Sequence, residues 1–135
     1  MSIGILLITH PGIGTALLAN TSALLEACPL QTRCLEVPPD VDPDTLERQA
    51  RRELDEIDDG SGVLILTDAF GSTPSNIAHR IAGDHRTQVV SGVNLPMLIR
   101  IFNYCSDSLD SLTRKAAEGG IRGIHASLQA NDDSG

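Results

Sequence analysis

Two short runs, "IGILLI" at residues 3–8 and "GVLILT" at residues 62–67, are apolar along almost their whole length. A strand with one wet face alternates polar and apolar side chains, so a strand without alternation must be covered on both sides. Two weaker runs, "TRCLEV" at 32–37 and "TQVVSGV" at 87–93, read as further strands. Helical patterns fill the gaps. The first covers residues 13–27. The second, "DPDTLERQARRELDEI", opens with Asp42 as N-cap and Pro43 at the first helical position, and it aligns Leu46, Ala50, Leu54 and Ile57 in one stripe. Three more follow: "TPSNIAHRIAG", "LPMLIRIFNYC" and "DSLTRKAAEGG", with the double glycine read as a helix end. Strand and helix alternate, so the chain is expected to be α/β. The expected architecture is a three-layer sandwich with a mainly parallel four-stranded sheet flanked by helices. The last run, "GIRGIHASL" at 120–128, reads as a short terminal strand, and the residues after it as a disordered tail.

Only 2% of the 135 residues are aromatic, and Trp is absent, so the core has to come from Leu, Ile, Val and Ala. Eighteen acidic residues against ten basic ones leave a formal charge of −8, and Lys115 is the single lysine. Such a balance disfavours nucleic acid and anionic membrane surfaces as partners. Cys28, Cys34 and Cys105 are an odd number without a CxxC, which reads as reduced, buried thiols in a cytosolic protein. The amino terminus lacks a basic leader, and no window reaches the roughly 18 apolar residues of a membrane span. The expectation is a soluble cytoplasmic domain.

In open parallel sheets, ligands sit beyond the carboxyl ends of the strands, near the point where strand order reverses. That rule singles out His10, Asp68 and the turn "SGVNLPM". An Asp carboxylate that accepts from Nδ1–H of an imidazole fixes the tautomer, leaves a lone pair on Nε2 and stabilises the cation formed when Nε2 takes an electrophile. Without such a pairing, the same residues would be a polar turn and a helix cap. In "DAFGSTPSN", Gly71, Ser72 and Thr73 lead into a helix, whose unpaired N–H groups suit a phosphoryl group. His79, His85 and His125 read as structural or exposed. The chain has no metal-ligand spacing, P-loop or dinucleotide fingerprint. The charges Glu47, Arg48, Arg51, Arg52 and Glu53 read as a solvated helix face.

The histidine ending the first strand, together with "GVLILTDAFGSTPSN" and "VVSGVNLPMLIR", resembles the mannose-family enzyme IIA (EIIA) domain of the bacterial phosphoenolpyruvate:sugar phosphotransferase system (PTS). The resemblance runs from "IGILLITH" to "GIRGIHASL", giving a domain over residues 1–129 and a tail at 130–135. It implies a phosphotransferase component that carries a phosphoryl group on Nε2 of His10. The donor would be the histidine-containing phosphocarrier protein HPr, and the acceptor an enzyme IIB (EIIB) protein serving sugar uptake. It implies that Asp68 orients the imidazole, that Gly71, Ser72 and Thr73 bind phosphoryl oxygens, and that neither cofactor nor metal is required. It also implies a homodimer that exchanges a fifth, antiparallel carboxyl-terminal strand. Three departures stand out: Pro11 where glycine is common, Phe70 where tryptophan is often found, and G-S-T-P where G-G-S-P is frequent, so that Thr73 fills the serine position. The chain stops after the IIA domain, so the acceptor is expected in trans. Three alternative roles are a regulatory phosphoprotein without a transporter, the phosphoryl-donor subunit of a dihydroxyacetone kinase system, and a flavodoxin-like ligand binder.

Overall fold

The computed structural model describes residues 2–28, 30–83 and 86–128; His85 and the 130–135 tail lie outside the described residues. Side chains alternate across a strand, and both central strands are solvent-free on either face. In β1 (Gly4–Thr9), Ile5 and Leu7 point to one layer and Leu6 and Ile8 to the other; in β3 (Val63–Thr67), Leu64 and Leu66 oppose Val63 and Ile65. The outer strands β2 (Thr32–Glu36) and β4 (Thr87–Ser91) are half-buried, as their mixed sequences require. All four are parallel in the order β2-β1-β3-β4. The α/β reading and the parallel four-stranded sheet between helical layers are thus as expected.

One layer holds α5 (Leu95–Phe102) and α6 (Leu109–Arg122), with Met97, Leu98, Ile101, Leu112 and Ala116 against Ile5, Leu7, Leu64 and Leu66. The shorter α1 (Ile13–Ala19) and α2 (Ser22–Ala27) add Leu17, Leu18, Leu24 and Leu25 to the same cluster. The other layer is α3 (Pro43–Ile57) and α4 (Thr73–Ile81). The buried stripe of α3 is the expected Leu46, Ala50, Leu54 and Ile57, and Asp42 caps it by accepting from the Thr45 N–H at 2.9 Å.

Three sequence expectations need correction. The helix read over residues 13–27 is two helices. Asn20 turns its side-chain amide back onto the Ala16 carbonyl (2.7 Å), and the buried Thr21 hydroxyl donates to the Leu18 carbonyl (3.1 Å). Local bonds of this kind compete with helix continuation. The double glycine does not end α6. A Cβ on Gly119 would come within 2.7 Å of the Arg100 side chain, and one on Gly120 within 2.9 Å of Met97, so the pair lets α6 cross close over α5 and the helix continues to Arg122. Residues 120–122 are therefore helical, and residues 124–128 run on without strand pairing in the single chain, with Ile124 and Leu128 exposed.

The third correction concerns thiols. Cys28 at the end of α2 and Cys105 beyond α5 are joined as a disulfide, with their Cα atoms 5.8 Å apart, and Cys34 is the free cysteine. A separation of 77 positions gives no sequence sign of this pairing; packing of α2 against α5 creates it. Among the described residues, no helix is long and apolar enough to cross a membrane.

Several carboxylates tie the surface together. The carboxyl of Asp42 is lowered by the Thr45 N–H and hydroxyl, Asp107 by Lys115 and Ser111, and Glu47 chiefly by Arg51. Each group has a folded value below its unfolded one, so its contribution is present above the ordinary carboxylate range and lost as pH falls through the lowered folded value. The melting temperature is therefore expected to stay level from pH 7 to 5 and to fall below about pH 4, as calorimetry across pH 7 to 2.5 would show. A level melting temperature at pH 3 would contradict this.

Candidate functional site

β1 leads outward to β2, whereas β3 leads to β4 on the opposite side, so strand order reverses between β1 and β3. A crevice opens at their carboxyl ends. His10 is the residue after β1, and Asp68 the residue after β3. Because Ile8 is in register with Thr67, the two side chains meet. His10 Nδ1 donates to Asp68 Oδ2 at 2.7 Å, and the same oxygen accepts from the His10 backbone N–H at 3.0 Å. The other carboxylate oxygen accepts from the Ala69 N–H at 3.0 Å. With Nδ1 as donor, the neutral ring carries its lone pair on Nε2. The imidazole is 47% exposed and the Asp68 side chain 10%, so the acceptor is fixed inside while the ring faces outward. Burial pushes the Asp68 carboxyl up, but hydrogen bonds, those from His10 first among them, and the facing imidazole outweigh it and hold the group below its ordinary value.

The supports beneath this pair are buried. Thr9, fully enclosed, donates its hydroxyl to the His10 carbonyl (2.9 Å) and accepts from the Gly14 N–H (3.0 Å). Thr67, also enclosed, donates to Ser91 Oγ at 2.9 Å, which ties the Asp68 strand end to β4. A cleft of about 390 Å³ lies beside the histidine. Thr73 and Pro74 at the start of α4 form one wall with His10; Val37, Pro38, Pro39, Val41 and Pro43, from the β2–α3 connection, form the other.

The β3–α4 turn treats its three candidate residues differently. Gly71 has φ +83°, a left-handed conformation that L side chains rarely adopt. Ser72 directs both its N–H (3.3 Å) and its hydroxyl (2.5 Å) to the Ala69 carbonyl, so its side chain braces the turn. Thr73 is exposed and lines the His10 cleft. Phe70 is 81% exposed, with His79 edge-on to its ring; His79 Nδ1 contacts the Ser75 carbonyl (2.8 Å). His125 lies in the exposed stretch after α6. The "SGVNLPM" turn starts α5, where Asn94 accepts from the Met97 N–H at 2.9 Å and so serves as an N-cap.

A histidine with one nitrogen held by a carboxylate and the other bare, next to a helix start and free of nearby lysine or arginine in its cleft lining, is equipped to accept an electrophile reversibly. In sequence comparison, residues 4–117 match the family model EIIA-man, described as the PTS system fructose IIA component. The chain belongs to this PTS enzyme IIA family. Among its relatives, the mannose-specific EIIAB component of Escherichia coli K12 is 33% identical over 129 residues, which cover 93% of this chain and 40% of that protein. The chain thus spans well under half the length of the curated relative it matches. Two solved structures share the fold. The mannose/sorbose-specific IIA subunit from Enterococcus faecalis has a TM-score of 0.82 at 21% identity, covering 97% of this chain and 98% of that one. The PTS IIA protein associated with the fucose utilization operon of Streptococcus pneumoniae has a TM-score of 0.79 at 20% identity, covering 93% of each.

Among the residues missed by the sequence reading are Thr9 and, at the end of β2, Glu36. Both close a strand, but a threonine or glutamate at a strand end is too common a feature to be singled out without the register that brings them together, Thr9 opposite Glu36.

Proposed function

We propose that this EIIA-family chain is a phosphocarrier: His10 takes a phosphoryl group from phospho-HPr and passes it to an EIIB protein in the service of sugar uptake. The single observation that carries this reading is the Nδ1–Oδ2 hydrogen bond of 2.7 Å, which sets the tautomer and leaves Nε2 as the nucleophile. In the forward step Nε2 attacks phosphorus in line, an Nε2–P bond forms, and the P–N bond to the donor imidazole breaks. The electron pair returns to the donor ring, and the positive charge arising on His10 is shared with Asp68. Transfer onward reverses the roles, with an acceptor histidine as the new nucleophile. N–H groups at the start of α4, with the Thr73 hydroxyl, stabilise the charge on the equatorial oxygens; Gly71 shapes the turn that presents them, and Ser72 braces it. No cofactor or metal enters this scheme.

The surface supports the assembly implied for the family. β4 is an open edge of the sheet, and Ile121, Ile124 and Leu128 are exposed along the end of the chain. In a homodimer that exchanges residues 124–128 as a fifth, antiparallel strand, both liabilities disappear. The domain comprises residues 1–129, works in the cytoplasm and meets a membrane only through transporter components.

The test is transfer itself. Incubated with phosphoenolpyruvate, enzyme I and HPr, the wild type should gain about one acid-labile phosphoryl group per chain, and His10→Ala none. Equal labelling of His10→Ala would refute the assignment, as would a wild type that gains none. Offering labelled protein to EIIB and to a dihydroxyacetone kinase separates the sugar-uptake role from the kinase-donor one.

A further inference from the structure

The turn between β1 and α1 leaves few of its backbone donors unpaired. Pro11 has no N–H. The Ile13 N–H donates to the His10 carbonyl (3.3 Å) and the Gly14 N–H to Thr9 Oγ1 (3.0 Å). The Thr15 N–H goes to a carboxylate from the neighbouring strand, that of Glu36, with Oε2 at 3.2 Å from the Thr15 nitrogen, and the nearby Gly12 N–H helps to lower the same carboxyl. The Thr15 hydroxyl joins them and is the largest of the hydrogen bonds that hold the Glu36 carboxyl below its ordinary value. Glu36 is delivered there by register: it closes β2 opposite Thr9, one residue before His10. Two positions earlier on the same face of β2, Cys34 Sγ packs under Gly14 so closely that a Cβ on that glycine would overlap it.

We propose that Glu36 is a positioning residue for phosphoryl transfer at His10. By taking the Thr15 N–H, it locks the turn that carries the histidine and places negative charge on that side. A phosphoryl group on Nε2 is then held from the β3–α4 side, where the Thr73 and Ser75 N–H groups have no hydrogen-bond partner among the described residues. Two glycines and a proline in "HPGIG" leave this turn no side chain of its own with which to hold its shape, and the carboxylate supplies that constraint from outside. The inference rests on the phosphocarrier reading above.

Glu36→Ala is expected to lower the rate of transfer at saturating phospho-HPr about 10- to 100-fold, the range expected when a reacting group is displaced by a fraction of an ångström to one ångström. KM for phospho-HPr should stay within about twofold. Glu36→Gln keeps one acceptor oxygen and should fall between wild type and Glu36→Ala. Ser108→Ala removes a comparable helix cap, of α6, from the opposite end of the sheet; it controls for stability alone. Amide exchange in Glu36→Ala should quicken at Thr15, even if the variant is too unstable for kinetics. The role fails if Glu36→Ala transfers at the wild-type rate. It also fails if Ser108→Ala slows transfer as much for the same loss in melting temperature, or if the Thr15 amide is unaffected. A wild type that takes no phosphoryl group from phospho-HPr overturns the phosphocarrier function instead, whatever Glu36 does to that amide.

Discussion

Asp68→Ala is expected to cut the rate of phosphoryl transfer to His10 by roughly 10³-fold, below the roughly 10⁴-fold found when the orienting acid of a catalytic triad is lost. Asp68 Oδ2 holds two donors of the same residue, the ring Nδ1–H and the backbone N–H, so its removal frees both the imidazole rotation and the tautomer. It also removes the negative charge that faces the imidazolium formed on transfer. Docking of the donor should survive, because the Asp68 side chain is only 10% exposed and offers little surface to a partner. The expected result in a rapid-quench experiment is a large fall in the rate constant with donor affinity kept within about threefold. Asp68→Asn should be less severe, since its carbonyl oxygen can still accept both His10 donors while its amide opposes the Ala69 N–H. A loss below about tenfold in Asp68→Ala would mean that packing alone orients the ring. The lowered value of the Asp68 carboxyl keeps it ionised down to and below the ordinary carboxylate range, so its own titration should not shape the rate between pH 5 and 8.

Opening the Cys28–Cys105 disulfide should produce the largest change in stability. The bond closes a loop of 77 positions, for which loop-closure entropy of the unfolded chain gives about 4 kcal/mol. In a domain of this size that corresponds to roughly 10–15 °C in melting temperature. Cys28 is fully buried among core residues, and Cys105 packs against the same cluster, so reduction loosens α2 and the α5–α6 connection rather than the sheet. Scanning calorimetry of the oxidised protein with and without a dithiol reductant should show the drop, and a Cys28→Ala/Cys105→Ala double variant should not respond to reductant. Identical melting of oxidised and reduced wild type would contradict this. In a reducing cytosol the same pair stands as two thiols within bonding reach, and its state follows the redox poise around it. His10 and Asp68 lie at the other end of the sheet from Cys105, so transfer should be nearly indifferent to the bond.

The layout of the fold was legible because its signals are local. Unbroken apolar runs identify β1 and β3 as central strands, and the stripe and capped start of α3 are written within one segment. The His10–Asp68 pair was legible for a related reason: each follows a strand, and the rule for parallel sheets points to strand ends. What escaped depended on contacts between distant segments. The glycines of α6 read as a stop until the neighbouring α5 side chains were placed against them. Asn20 and Thr21 carry ordinary helical residues on both sides and break the helix only through their own side-chain bonds. Ser72 promised a hydroxyl to the cleft, but the Ala69 carbonyl three residues back claims it. Glu36 looked like the polar end of a weak strand, and only register with Thr9 shows that it holds the histidine turn. Pro11, the oddity beside His10, sits in a turn whose Ile13, Gly14 and Thr15 N–H groups are already engaged.

The most direct measurement is the identity of the phosphorylated atom. After transfer from phospho-HPr, phosphorus–nitrogen correlation in a histidine-labelled protein reports which ring nitrogen of which residue bears the group. A single phosphoryl group on Nε2 of His10, with Nδ1 still protonated toward Asp68, is the predicted result. A group on Nδ1 of His10, on His79, or on the hydroxyl of Ser72 or Thr73 would contradict the account.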